Sequence, residues 1–382
     1  MKKLWRNNHK ILKFVFLVFI CWEALIIFLD FICPYTGIPQ HGGFNYVEIK
    51  VINPSFLWNR ANFDGIHYLD IAKKGYGIYQ QAFFPLYSKL IRFFTPVFGK
   101  KDLLAALFVS NFSTLLALWL FYRVVLLDYP DSVARESLLI WLFFPTSFFL
   151  FSAYTEGLFI FLILLSFYAA RKKKWLLAGI SGALASNTRL VGIFLFPALL
   201  WEWWQNKKIT NYKLQITNLL SIFLIPLGLM SYMKFLWERY HDPLMFLHVQ
   251  PFFGAQRSGG KIILIYQVFW RYLKMILTTK WDPLYFVVWM ELIAGFGFLI
   301  LLFLAYKKRI RISYLIFAFL AYLAPTFSGS FSSLPRYVLV LFPCFIYLGL
   351  IESRLIRDTL LFIFGFLFVF SLVLFFRGYW IA

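Results

Sequence analysis

The chain has 382 residues, of which 61% are hydrophobic and only 14% are charged. This composition excludes an ordinary soluble domain and is typical of a protein embedded in a membrane. The formal charge of +21 does not indicate nucleic-acid binding, because the basic residues lie in small groups between apolar runs. The three cysteines have neither a metal-ligand spacing nor a disulfide pattern.

Apolar runs long enough to cross a membrane, allowing about 17 to 25 residues for each, recur along the chain. They occur at residues 11–33, 102–127, 134–151, 153–170, 175–188, 189–205, 214–237, 283–306, 312–327, 336–352 and 358–376. The runs predict an all-α polytopic membrane protein with about eleven transmembrane helices, folded as a single domain over residues 1–382. The runs 175–188 and 189–205 form either two helices or one broken helix, since both are short and a polar stretch interrupts them.

Basic clusters predict the orientation of these helices. With a cytoplasmic N-terminus, about eleven crossings place four further clusters inside, at residues 171–174, 207–208, 307–311 and 354–357. One crossing fewer would place the last two clusters outside, against the positive-inside rule. The favoured topology leaves two long segments, 34–101 and 238–282, at the non-cytoplasmic face. Apolar residues at helical spacing predict interfacial helices in these segments.

The first outer segment concentrates polar side chains within residues 58–76. Asp64 lies between Phe63 and Gly65, and His67 follows three residues later, on the same face if the segment is helical. Asp64 is a candidate general base that takes a proton from an acceptor hydroxyl. The alternative is an N-cap aspartate that satisfies the first amides of a short helix. His67 needs no role beyond that of a surface histidine.

Several charged residues lie within or beside the apolar runs. Arg189 carries a permanent charge where two apolar halves meet, which indicates a polar cavity or a partner. Arg336 begins a predicted helix, where snorkelling to lipid headgroups is the alternative to a function. Glu156 lies in a tight outer turn, where an acid can simply cap the next helix. Glu23 and Asp30 share one face of the first helix, where either could pair with a cation such as Arg189.

No metal or cofactor is expected. The histidines and acids of the outer segments lack a stringent ligand spacing; they are Asp64, His67, His241, Asp242 and His248. The sequence also has no phosphate-binding glycine loop, and Gly259-Gly260-Lys261 is interpreted as a turn beside a charge.

Short motifs along most of the chain carry a family resemblance. The most specific one covers residues 58–76 and continues in 82–87, and the others lie at 145–147, 154–159, 188–192 and 334–343. Together they resemble the GPI-anchor mannosyltransferase II (PIG-V) family and its prokaryotic relatives, a branch of the membrane-embedded C-type (GT-C) glycosyltransferases. The motif at 82–87 departs from the family in one respect, because Ser88 follows it where a proline is common.

The resemblance implies an enzyme that uses a polyprenyl-phosphate sugar, with dolichyl-phosphate mannose as the type donor. It implies transfer of a hexose, expected to be mannose, to a lipid-linked or surface glycan acceptor at the non-cytoplasmic face. It also implies that an aspartate of the first outer segment is the catalytic base, a role that falls on Asp64. The expected partners are therefore this donor, a glycan or glycolipid acceptor and membrane lipids, with no nucleic acid and no cofactor.

The remaining roles are assigned from the chemistry of such a transfer. Positive charge would stabilise the departing lipid phosphate. Arg189 and Arg336 are assigned to this phosphate, because a guanidinium presents a planar fork of donors. Polar side chains in or beside the matched motifs are expected to bind substrate: Arg60, His67, Tyr154, Glu156 and Asn187.

The competing function is a multi-pass transporter or flippase for a lipid or glycolipid, which also needs many helices and a broken helix. The lack of an internal repeat and the collection of polar residues at one face argue against it. A prokaryotic inner membrane is favoured over the endoplasmic reticulum, because no usable N-glycosylation sequon lies outside the apolar runs and Asn53 precedes a proline.

Overall fold

The computed structural model describes residues 2–41, 54–205 and 212–381. Within these ranges every element of regular secondary structure is a helix, which confirms the all-α prediction. The α-helices are α1 Lys2–Ile32, α2 Ser55–Trp58, α3 Asp64–Lys74, α4 Pro85–Phe94, α5 Asp102–Val125, α6 Asp131–Phe143, α7 Glu156–Arg171, α8 Trp175–Ser186, α9 Leu195–Gln205, α10 Tyr212–Ile222, α11 Leu224–Tyr240, α12 Met245–His248, α13 Ile265–Thr278, α14 Pro283–Lys307, α15 Ile312–Thr326, α16 Leu334–Tyr337, α17 Phe342–Gly349 and α18 Arg354–Phe376. Short 3₁₀ helices occur at Cys33–Tyr35, Asn59–Ala61, Gln80–Ala82, Thr95–Phe98, Ser147–Phe151, Leu190–Phe194, Gln250–Phe253 and Val338–Val340.

The protein is a multi-pass membrane protein. Among the described residues, five helices are long and apolar enough to cross a membrane: His9–Tyr35, Asp102–Val125, Gln215–Tyr240, Pro283–Lys307 and Arg354–Phe376. Three shorter apolar helices occur at Trp175–Ser186, Leu190–Gln205 and Ile312–Thr326. The predicted span 134–151 consists instead of one short α-helix followed by a 3₁₀ helix, and 336–352 consists of two short α-helices joined by a 3₁₀ helix. The total of about eleven spans therefore stays a prediction.

Amphipathic helices form in both segments predicted to lie outside. Pro85 is the first residue of α4, as expected for a residue that tolerates only the first helical turn. This helix buries Tyr87 and Ile91 and exposes Phe93. In the second segment, α13 buries Val268 and Tyr272. Each helix thus covers the protein with one face and presents the other outward, as an interfacial helix would.

The stretch 175–205 forms two helices with a break between them. After α8 the chain turns so sharply that Gly192 packs on the end of the same helix. A Cβ atom at Gly192 would lie 2.5 Å from the Ser186 amide nitrogen, so only glycine fits this turn. The Asn187 side chain donates hydrogen bonds to Gly228 O and Ser231 Oγ, both at 2.9 Å. These contacts fix the turn against α11.

Single cysteines test the predicted orientation in a Cys21→Ala background, since the other two cysteines are buried. Ile78, 82% exposed, and the exposed Gln256 belong to the predicted outer segments, whereas the exposed Lys173 lies in a predicted inner cluster. A membrane-impermeant maleimide should label Ile78→Cys and Gln256→Cys in intact cells, and Lys173→Cys only after lysis. The opposite labelling pattern would reverse the topology.

Candidate active site

A cavity of about 580 Å³ brings together the chain segments that carry the predicted functional residues. Its wall comes from both predicted outer segments, from the turn that precedes Glu156, from the break at Arg189 and from residues 327–337. Asp64, His67, Glu156, Arg189 and Arg336 all line it. The structure therefore brings together five of the eight residues proposed from the sequence.

Asp64 enters this cavity from the first residue of α3. The N-cap position belongs to Phe63, whose φ of 60° is unusual for a residue with a side chain. The alternative that Asp64 is an N-cap is therefore wrong. Its Oδ2 accepts a hydrogen bond from Arg336 Nη1 at 2.8 Å. Gly65 lies against Ala153 O, where a Cβ would come within 3.3 Å.

Four charged side chains form one connected ionic network, which consists of Asp64, Arg336, Glu156 and Arg189. Glu156 Oε1 accepts a hydrogen bond from Arg189 Nη1 at 2.7 Å and lies 3.3 Å from Arg336 Nε. Only 1% of the Glu156 side chain and 5% of the Arg336 side chain are exposed. Burial of such charges is costly unless they are paired, so each member requires the others.

Aromatic rings enclose the Arg336 end of the network. The guanidinium carbon of Arg336 lies between 5.2 and 5.6 Å from the ring centroids of Phe149, Tyr154, Tyr337 and Trp380. Such faces stabilise a cation where water is excluded. Tyr154 acts here from behind the cavity wall, and its hydroxyl donates to Asn62 O at 2.5 Å. It supports Arg336 and does not line the cavity.

His67 lines the cavity one helical turn after Asp64. Its ring stacks on Phe83 at 4.9 Å, and its Nδ1 lies 3.4 Å from the Gln80 side-chain amide. Burial lowers the pKa of His67 below its usual value of 6.5, and the charges of Asp64 and Asp70 oppose this effect only in part. At neutral pH the ring is therefore an uncharged hydrogen-bonding group.

Arg60 and Asn187 lie away from the cavity lining. Arg60 is buried and donates to Glu23 Oε2 of the first helix at 2.7 Å. Glu23 thus pairs with Arg60 rather than with Arg189, while Asp30 accepts from Ser55 and Asn59, both at 2.6 Å. Asn187 is used in the turn after α8, as described above. The sequence placed these residues in the right segments but could not show which way they face.

Sequence reasoning missed three residues of the cavity wall. Arg257 and Lys261, from the second outer segment, and Trp380, near the C-terminal end of the chain, all line the cavity. Lys261 was assigned to a simple turn, and Arg257 lies in no recognised motif. A useful signal would have been their position, since both cations belong to a segment predicted on the same side as Asp64.

Metal ligands do not converge in the part of the chain that the structure describes, where no group of three or more His, Cys, Asp or Glu residues could hold an ion. His248 Nδ1 lies 2.7 Å from Asp242 Oδ2, as an isolated pair.

The fold and this cavity define a multi-pass membrane protein with a buried ionic site. The family model described as mannosyltransferase (PIG-V) matches residues 13–245, more than half of the chain, and the chain belongs to that family. This confirms the resemblance drawn from the motifs. No curated protein sequence matches the chain significantly.

A solved structure shows a similar fold. ArnT from Cupriavidus metallidurans bound to undecaprenyl phosphate matches with a TM-score of 0.52 and 14% identity, over 91% of this chain and 62% of ArnT. This chain thus spans 62% of the length of that neighbour. The Saccharomyces cerevisiae protein O-mannosyltransferase Pmt1-Pmt2 complex bound to the sugar donor matches with a TM-score of 0.38 and 15% identity, over 59% and 34% of the two chains.

Replacing Arg60 tests its role as a partner of Glu23. Arg60→Ala should destabilise the protein by about 3 kcal/mol, because it leaves a largely buried carboxylate without its partner. The control is Arg135→Ala, since the pair of Arg135 with Asp131 is about half exposed, at 48% and 55%, and should contribute at most about 1 kcal/mol. Thermal unfolding in detergent measures both. Equal stability of Arg60→Ala and the wild type would contradict the structural role.

The pKa of His67 predicts a dependence of stability on pH. Because its folded pKa is lowered, the unfolded chain binds a proton more readily than the folded chain as the pH falls below 6.5. The contribution of His67 is present above pH 6.5 and is lost as the pH falls through the lower folded pKa. His67→Gln should therefore lose less thermal stability than the wild type between pH 7.5 and about pH 5.5. An equal loss of thermal stability in His67→Gln and in the wild type between these two pH values would contradict a neutral His67 in the folded protein.

Proposed function

We propose that the protein transfers a hexose, expected to be mannose, from a polyprenyl-phosphate sugar to a lipid-linked or surface glycan at the non-cytoplasmic face of the membrane. The observation that carries this proposal is the ionic network in the cavity, which sets a carboxylate beside two guanidinium groups. A transfer of this kind needs a base for the acceptor and cations for the leaving phosphate. Membership of the mannosyltransferase (PIG-V) family supports it.

Asp64 is the general base of the proposed reaction. The acceptor hydroxyl oxygen forms a bond to C1 of the donor sugar, and its proton passes to the Asp64 carboxylate. The bond between C1 and the phosphate oxygen breaks, and its electron pair leaves with the lipid phosphate. Arg336 orients the carboxylate through the 2.8 Å hydrogen bond. Phe63 and Gly65 support this position by holding the start of α3 close to Ala153.

Arg189 and Arg336 hold the phosphate as charge builds up on its oxygen. Each guanidinium carries five N–H donors, and the network uses only part of them on Glu156 and Asp64. The rest can bind phosphate oxygens as a fork. Glu156 keeps both cations at the cavity, and the neutral His67 ring is a candidate partner for a sugar hydroxyl.

The lipid chain of the donor would occupy the apolar part of the same cavity. This part is lined by Leu190, Val191, Ala321, Ala324 and Pro325, next to Arg189. A polyprenyl tail packed there would bring its phosphate to the arginines. The similarity of the fold to ArnT, solved with undecaprenyl phosphate, supports this donor class by analogy.

The cavity favours transfer over transport. Apart from the apolar wall, its lining comes from segments predicted at the outer face, whereas a flippase or transporter needs a path to both faces.

We also infer about eleven crossings and a prokaryotic cell membrane. The distribution of basic clusters supports the number of crossings, and the sequon pattern supports the prokaryotic membrane.

Asp64→Asn tests the base directly. The amide keeps the shape but cannot take up the proton, so transfer should slow by roughly 100- to 10,000-fold, while donor binding is retained. The control is Asp70→Asn on the same helix, because Asp70 does not line the cavity. The transfer rate and the donor affinity should be measured on one purified preparation with polyprenyl-phosphate mannose and a glycolipid acceptor.

The two variants separate catalysis from folding. If Asp64→Asn turns over at nearly the wild-type rate, Asp64 is not the base and Glu156 becomes the next candidate. Equal losses of rate in Asp64→Asn and Asp70→Asn would point to damage to α3 rather than to chemistry.

A further inference from the structure

The cavity carries two cations that the proposed reaction has not used. Arg257 and Lys261 line it from the second outer segment and are not members of the ionic network. In the part of the chain that the structure describes, neither forms an ion pair. The nearby acid Glu291 does not line the cavity; it accepts from the Tyr272 hydroxyl at 2.5 Å and from the Ser333 amide at 3.3 Å.

The wall that bears these two cations is fixed rather than loose. The Ser258 amide donates to Ser328 O at 2.8 Å and the Ile263 amide to Phe327 O at 3.0 Å. Arg271 bridges the same two segments by donating to Gly329 O and Ala255 O, at 2.9 and 3.1 Å. The backbone between residues 258 and 263 is therefore held against the loop that leads to Arg336.

Arg257 is attached to this wall through only one of its nitrogens. Its Nη2 donates to Ser332 O at 3.1 Å and to Ser333 Oγ at 3.0 Å. The remaining guanidinium donors and the Lys261 ammonium are thus available to an anion in the cavity. Ser333 directly precedes the helix that carries Arg336, so the two arginines lie on connected parts of one wall.

The formal charges decide which anion fits. Among the charged side chains that line the cavity, Asp64 and Glu156 balance Arg336 and Arg189, so Arg257 and Lys261 leave two positive charges. A polyprenyl-phosphate sugar is a phosphodiester with one negative charge. The lipid phosphate released on transfer is a monoester, whose charge at neutral pH is about −1.5 to −2. The excess charge of the cavity matches the monoester.

We propose that Arg257 and Lys261 form a phosphate site that binds the terminal phosphate of a polyprenyl lipid and favours the monoester released by transfer over the diester donor. This inference rests on the proposed function and adds residues outside the ionic network. The pair stabilises the charge that appears on the leaving oxygen and retains the lipid product until it leaves the cavity.

The test compares lipid binding by purified wild type, Arg257→Gln, Lys261→Gln and the double variant. The probes are undecaprenyl phosphate, undecaprenyl-phosphate mannose and uncharged undecaprenol. Each substitution should weaken binding of the phosphate monoester about tenfold or more, with a smaller loss for the diester and none for the alcohol. Lys274→Gln is the matched control, because Lys274 is an exposed lysine of the same segment that does not line the cavity.

Further arms identify the source of the phosphate and exclude misfolding. Inorganic phosphate and phosphatidylglycerol are added as competitors, and only the polyprenyl phosphate should bind with an affinity that depends on both cations. Arg257→Lys and Lys261→Arg keep the charge and should retain most of the monoester preference. If Arg257→Gln does not fold, the exposed Lys261→Gln still reports on the site.

The outcomes separate this inference from the proposed function. If the wild type binds the lipids and transfers sugar but the double variant has the same monoester affinity, the phosphate site is overturned and the transferase stands. Equal weakening of all three lipids, including the alcohol, would also overturn it, since it would indicate loss of the lipid groove. A wild type that neither binds polyprenyl phosphate nor transfers sugar overturns both.

Discussion

The pairing of buried charges in the cavity is the constraint on which the arrangement of the protein depends. Asp64 and Arg336 are 272 residues apart in the chain, yet they share a 2.8 Å hydrogen bond. Glu156 and Arg189 complete the network from α7 and from the break after α8. An unpaired ion in such a place would be strongly unfavourable. The charges therefore require four elements to meet in the folded protein: the start of α3, the turn before α7, the break after α8 and α16.

Local backbone features serve this network. The left-handed Phe63 and the small Gly65 let α3 begin against Ala153, which turns Asp64 towards Arg336. Gly192 allows the chain to reverse after α8, so that Arg189 points into the cavity instead of continuing a helix into lipid. These glycines have no chemistry of their own. A side chain at Gly192 would collide with the end of α8, and one at Gly65 would crowd Ala153.

Hydropathy and motif spacing predicted an all-α membrane protein, its family and the segments that carry Asp64, Glu156, Arg189 and Arg336. They could not predict the pairings, because an ion pair between distant segments depends on packing that no local pattern encodes. Arg60 illustrates this limit, since it lies in the most specific motif and yet faces Glu23 in the first helix. Arg257 was missed for the opposite reason, since it contributes to the cavity from a segment without a motif.

The balance of charges in the ionic network also bears on how a base can be kept ready in a site built for an anion. Asp64 and Glu156 serve as the counter-charges of the two arginines, so Arg336 is paired among the aromatic rings that surround it. A phosphate that enters the cavity competes with these carboxylates for the same guanidinium donors. In the proposed reaction this competition weakens the hydrogen bond from Arg336 to Asp64 without breaking it, so the carboxylate stays oriented and becomes a better acceptor for the proton. Donor binding and activation of the base would then be one event, because both draw on the hydrogen bonds of a single arginine.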